Sequence, residues 1–178
     1  MDILALHGGN HLQGNTATLL EAFLDGARAV GHAAQRLDII KMDVNPCWGC
    51  NYCRPQGRGT GQCAQKDQMP YADTEKADIL VLTSPVFWWG FSAQLKAYID
   101  RLYALPFKIW RTKKVKIIFS SELPVPSIAA RTQAEIWGYM STYLKFEFLG
   151  VLEGSSGEIP IARQTELLEL ARKQGMAL

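Results

Sequence analysis

Short apolar runs alternate along the chain with segments whose apolar residues recur every three or four positions. Ile3-Leu4-Ala5-Leu6, Ile79-Leu80-Val81-Leu82 and residues 115–119 are near-continuous apolar runs, the pattern of strands covered on both faces. Residues 33–37 predict a further strand. Residues 145–152 predict a fifth, whose alternating charges assign it to a sheet edge. Leu20, Phe23, Leu24 and Ala27 carry the i, i+3, i+4, i+7 spacing of an amphipathic helix, which Gly31 stops. Leu95, Tyr98, Ile99 and Leu102 repeat that spacing, as do Ile136, Tyr139, Met140 and Tyr143. A last helix is expected over 162–174, with Gly175 as its cap. Strands alternating with helices in this way predict right-handed βα units. The expected result is a three-layer α/β sandwich with a five-stranded parallel sheet in order 2-1-3-4-5.

Two segments break the rhythm. Residues 42–68 form a long insertion rich in Gly, Cys and polar residues, and residues 122–127 hold Pro124 and Pro126 and read as a loop. Both follow strands, where α/β sheets carry their sites. At 178 residues the chain fits one domain spanning 1–178, with 48% apolar and 20% charged residues. A formal charge of +2, from 19 basic and 17 acidic residues, gives no nucleic-acid footprint. The chain opens directly on an apolar strand and has no long apolar stretch, so neither a signal peptide nor a membrane span is expected, and the cytoplasm is the default location.

The first loop reads His7-Gly8-Gly9-Asn10-His11-Leu12-Gln13-Gly14-Asn15-Thr16 and leads into the first helix. Its glycines let the backbone approach an anion, and the helix start presents free amides and a hydroxyl to a phosphate. The same residues also suit an ordinary capped turn. A second loop, Thr83 through Ser92, follows the third strand and holds Phe87, Trp88, Trp89 and Phe91. In the 2-1-3-4-5 order these two loops flank the topological switch point. Four rings in five residues can wall a flat ligand, close the end of the core, or pack a subunit interface. All 4 cysteines fall within the insertion, at Cys47, Cys50, Cys53 and Cys63, which suits metal or redox chemistry more than disulfide staples. Four thiolates suit a [4Fe–4S] cluster or tetrahedral zinc, and free thiols are the third possibility. Asp100 and Arg101 read as a surface or interface ion pair. The 3 histidines form no metal-spaced pair.

Gly14-Asn15-Thr16, Cys47-Trp48-Gly49-Cys50-Asn51-Tyr52-Cys53, Ser84-Pro85-Val86-Phe87-Trp88, and Gln94-Leu95-Lys96 with Asp100-Arg101 occur in a distinctive order and spacing. In these pieces the chain resembles the NAD(P)H-dependent FMN reductase and iron–sulfur flavoprotein group of flavodoxin-like proteins. The resemblance implies FMN, its phosphate held by His11, Gln13, Gly14, Asn15 and Thr16. Pro85, Val86, Phe87 and Trp88 would line the flavin ring, Gly90 would give room, and Ser121 would close the far side. Where the family usually carries a Ser-Pro-Arg run, this chain has Gly9-Asn10-His11, which removes an arginine from the phosphate's partners.

The implied activity takes a hydride from NAD(P)H and passes electrons to a small second acceptor such as a quinone, a flavin or a cluster, in a homodimer or homotetramer. The rival readings are an iron–sulfur flavoprotein and a flavin electron carrier without NAD(P)H oxidase activity. The near-neutral charge balance lacks the acidic excess expected of a carrier that docks basic partners.

Overall fold

The computed structural model describes residues 1–54 and 62–178. Five strands form one all-parallel sheet, in order β2-β1-β3-β4-β5. They are β1 (Asp2–His7), β2 (Ala33–Asp38), β3 (Ile79–Pro85), β4 (Lys114–Ser121) and β5 (Glu147–Ser155). The helices are α1 (Asn15–Ala29), α2 (Tyr71–Lys76), α3 (Ala93–Arg101), α4 (Ile128–Leu144) and α5 (Thr165–Met176). The predicted flavodoxin-like sandwich is the observed one. No helix among the described residues is long and apolar enough to cross a membrane.

The three central strands are covered on both sides, which is why they read as near-continuous apolar runs. Leu4, Leu6, Leu80, Leu82, Ile117 and Phe119 face Leu95, Tyr98 and Trp137 of α3 and α4. Ile3, Ala5, Ile79, Val81 and Ile118 face Leu19, Leu20, Phe23 and Ala171 of α1 and α5. β5 pairs only with β4, so it is an edge strand, as its charges predicted. It begins later and runs longer than expected, because Lys145 is the left-handed cap of α4 (φ 68°) and not a strand residue.

Gly175 is not a cap. It lies inside α5, where a Cβ would stand 2.0 Å from the Phe23 carbonyl oxygen, while a Cβ on Gly26 of α1 would stand 2.0 Å from that of Arg172. The two glycines let α1 and α5 touch backbone to backbone. Residues 161–163 form a separate 3₁₀ turn, so α5 starts later than the spacing suggested.

The insertion is closed at its base. Gln68 N–H donates to the Asp43 carbonyl (2.8 Å), and Asn45 N–H donates to Asp67 Oδ2 (2.9 Å). Arg101 is the bolt: its Nη1 and Nη2 donate to both carboxylate oxygens of Asp67 at 2.7 and 2.9 Å, and Nη1 also donates to the Asn45 carbonyl. Both side chains are buried, at 1% and 4% exposure. The predicted Asp100–Arg101 surface pair is therefore not formed; Asp100 pairs with Lys96 one helical turn away. In a buried site only a bidentate, fully hydrogen-bonded carboxylate offsets the desolvation of a guanidinium, and Asp100 points to solvent.

Candidate functional site

Four strand ends meet at one cleft of about 580 Å³, β5 contributing Ser156. From the β1 end, Gly9, Asn10, His11, Gly14, Asn15 and Thr16 line it; from the β3 end, Pro85, Val86 and Phe87; from the β4 end, residues 120–123. The size lies within the ~300–1,000 Å³ range of small-molecule sites.

The first loop is held from all sides. Gly8 N–H donates to the Thr83 carbonyl (2.7 Å), and Gly14 N–H closes a turn onto the His11 carbonyl (3.0 Å). A Cβ on Gly14 would stand 2.9 Å from His11 Cβ, so this position needs glycine for the chain to enter α1 so tightly. α1 has no side-chain cap at its amino end, which leaves its first amides and the positive end of its dipole for an anion. Asn15 Oδ1 accepts from Ile161 N–H (3.0 Å), and the Thr16 hydroxyl pairs with that of Ser120 across the cleft. No Arg or Lys lines this cleft among the described residues.

Arg36 on β2, which no local pattern singles out, supports the loop from beneath. Its Nη2 donates to the Leu12 carbonyl (2.9 Å), and its guanidinium pairs with Asp38 and Glu21. The neighbouring His7 is fully buried, with Nδ1 3.2 Å from Asp38 Oδ1. Burial, with the Arg36 cation beside it, holds the imidazole pKa below its ordinary value and so keeps it neutral.

The second loop is apolar toward the cleft. Val86 N–H donates to the Ser120 carbonyl (2.9 Å), and Ser84 Oγ accepts from Ser92 N–H (2.9 Å), which fixes both feet of the loop. Between them, Phe87 and Gly90 exchange backbone hydrogen bonds around a two-residue turn in which Trp88 (φ 48°) and Trp89 (φ 61°) are both left-handed. Trp88 is 92% exposed. Pro85, Val86 and Phe87 line the cleft, whereas Trp88 and Gly90 line an adjoining apolar pocket that Phe87 shares. Gln13 is also outside the cleft, on a groove beside α1 and Arg36. Ser121 lines the cleft, and its hydroxyl donates to Glu153 (3.5 Å), which also accepts from Ser127 N–H (2.8 Å).

The donor set fits a phosphorylated flat-ring molecule: amides and hydroxyls at one end, and an apolar wall of Pro85, Val86 and Phe87 at the other. The cysteines are less convergent. Cys47 and Cys50 are exposed, and Cys53 and Cys63 are half-buried. Burial pushes the Cys53 thiol pKa up, with Cys63 and Cys47 close enough to add to the effect and Arg54 opposing it. Among the described residues no three Cys, His, Asp or Glu side chains are grouped as metal ligands. Gly57, Gly59 and Gly61, in the stretch between Cys53 and Cys63, lie outside the described residues.

A family model described as NADPH-dependent FMN reductase matches residues 1–141. An iron–sulfur flavoprotein of Archaeoglobus fulgidus is 27% identical over 178 residues, covering 94% of this chain and 77% of its own. One from Methanocaldococcus jannaschii is 31% identical over 103 residues, or 57% of this chain, which spans about half (51%) of that relative. Among solved structures, an NAD(P)H:quinone oxidoreductase from Methanothermobacter marburgensis superposes with a TM-score of 0.71 at 19% identity, covering 99% of this chain and 98% of its own. At that identity the likeness speaks for the fold alone.

Proposed function

The chain belongs to the NADPH-dependent FMN reductase family, and from that premise we propose that it takes a hydride from NAD(P)H and passes electrons to a small second acceptor. The observation that carries this reading is the pairing, in one cleft, of an uncapped helix amino terminus with an apolar wall. The α1 amides and the Thr16 hydroxyl would hold the FMN phosphate, and Asn10 and His11 would flank it. Pro85, Val86 and Phe87 would seat the ring and keep water from its face, and Ser121 would close the opposite side. FMN, when bound, supplies the two-electron chemistry. The protein's part is to position and shield, and the reading requires no side-chain base. The homodimer or homotetramer expected from the resemblance belongs to the same proposal and is read by light scattering.

Anaerobically purified protein should show flavin absorption bands that bleach on addition of NADPH or NADH and recover with a quinone. Bands that persist with both donors would favour the electron-carrier reading.

A second reading is favoured by the names of the curated relatives, which are iron–sulfur flavoproteins. In it Cys47, Cys50, Cys53 and Cys63 ligate a [4Fe–4S] cluster. Iron and acid-labile sulfide near four of each per chain would support it, and metal-free protein from anaerobic cells would sink it.

A further inference from the structure

On the far side of Phe87 from the cleft lies a second cavity of about 810 Å³, bounded by α3, α4 and the 3₁₀ turns at 102–104 and 107–112. Its wall is a linked set of rings. Phe91 meets Trp137 at 6.3 Å between centroids, and Trp137 and Trp110 each meet Phe146 at 6.1 Å. Trp110 and Trp137 are buried, so this wall is built into the core.

One charged group is buried in this apolar surround, whereas Lys96 and Asp100, which also line it, are exposed and paired with each other. Arg54 is 6% exposed, and its guanidinium is clamped between the rings of Tyr103 (3.9 Å) and Phe107 (4.1 Å). The rings satisfy its two faces. They do nothing for the N–H groups in its plane, and Nε, Nη1 and Nη2 have no hydrogen-bond partner among the described residues. The buried guanidinium therefore has no hydrogen-bonding counter-ion among the described residues. Among the described residues the carboxylate lining this cavity is Asp100, which is exposed and engaged with Lys96. The contrast with Arg101 is direct: that buried arginine has a bidentate carboxylate, a carbonyl and a tyrosine hydroxyl around it.

We propose that this cavity binds a flat apolar molecule carrying one carboxylate. Its two oxygens would lie in the guanidinium plane of Arg54 between Tyr103 and Phe107, and its ring system would lie against the Trp137 wall. The N–H edge of Arg54 is buried in the unliganded protein, so binding requires a shift of its surroundings, and Tyr103 and Phe107, each nearly half exposed at 49% and 43%, have room to give way. The carboxylate supplies the matched acceptor pair, and the cavity removes the ring system from water. Binding here requires nothing in the neighbouring cleft, so it is read separately from redox turnover.

Titration calorimetry of the protein as anaerobically purified, with 2-naphthoate and its methyl ester, tests this. The carboxylate should bind one per chain, about tenfold to a hundredfold tighter than the ester, the range of a charge-assisted hydrogen-bonded pair. Arg54→Met should erase that preference while leaving ester binding in place, and Arg54→Lys should keep only part of it. Equal affinity of acid and ester for the unaltered protein would overturn the proposal, whatever the variants do. So would undiminished naphthoate binding by a folded Arg54→Met protein, or no binding of naphthoate at all.

Discussion

Thr16 is buried at the start of α1, with its hydroxyl against that of Ser120. Thr16→Val keeps the shape and deletes the donor. We expect FMN affinity to fall about tenfold, the scale of one lost hydrogen bond to a charged group, read by the release of flavin fluorescence on dilution. His7 makes a different prediction. Its folded-state pKa lies below the ordinary value because burial and Arg36 disfavour the charged form. The unfolded chain therefore binds that proton more readily than the folded one. The stability concerned is fully present above the ordinary imidazole value of about 6.5, and is lost as pH falls below it toward the lowered folded value. The melting temperature should drop between pH 7 and pH 5, and His7→Gln should flatten that part of the profile. A slope unchanged by the substitution would assign it to other groups.

At the scale of elements, α1 and α5 touch backbone to backbone through Gly26 and Gly175. Gly26→Ala places a methyl 2.0 Å from a backbone oxygen, a clash no side chain can relieve, so the helices must move apart. A loss of about 1–3 kcal/mol is expected by chemical denaturation, despite the better helix propensity of alanine. The bolt between α3 and the insertion is the other exposed dependency. Asp67→Asn leaves the buried Arg101 charge without its counter-ion, which costs about 3–5 kcal/mol in comparable sites. Because Asp67 also accepts from Asn45 N–H, the base of the cysteine segment should loosen with it, seen as faster amide exchange around residues 43–46 and 62–69.

At the scale of the molecule, the sheet was legible because β1, β3 and β4 are buried on both faces and carry little else but apolar residues. The strand order follows from the folding rules for such units. α2 was not legible: six residues with a single buried one, Thr74, leave no periodicity to find. The cleft was legible in outline, since both of its main loops sit at the switch point. Its support was not. Arg36 and Arg101 act on partners 24 and 34 positions away, and no local pattern announces a contact across the fold. Arg54 was hidden for the same reason, next to a cysteine motif that drew attention to itself.

The turn at Trp88-Trp89 has one more consequence. Two-residue turns of this hand are ordinarily made from Asn and Gly, and a bulky residue held at positive φ costs about 1–2 kcal/mol. Replacing the pair by Asn-Gly should therefore raise the melting temperature by several degrees, on the order of 2–4 °C for each kcal/mol relieved. Rounds of laboratory selection for heat resistance alone would converge on Asn-Gly at this tip. Rounds that also rewarded binding in the second cavity would retain Trp88, which lines it, and the two lineages would part at this one turn.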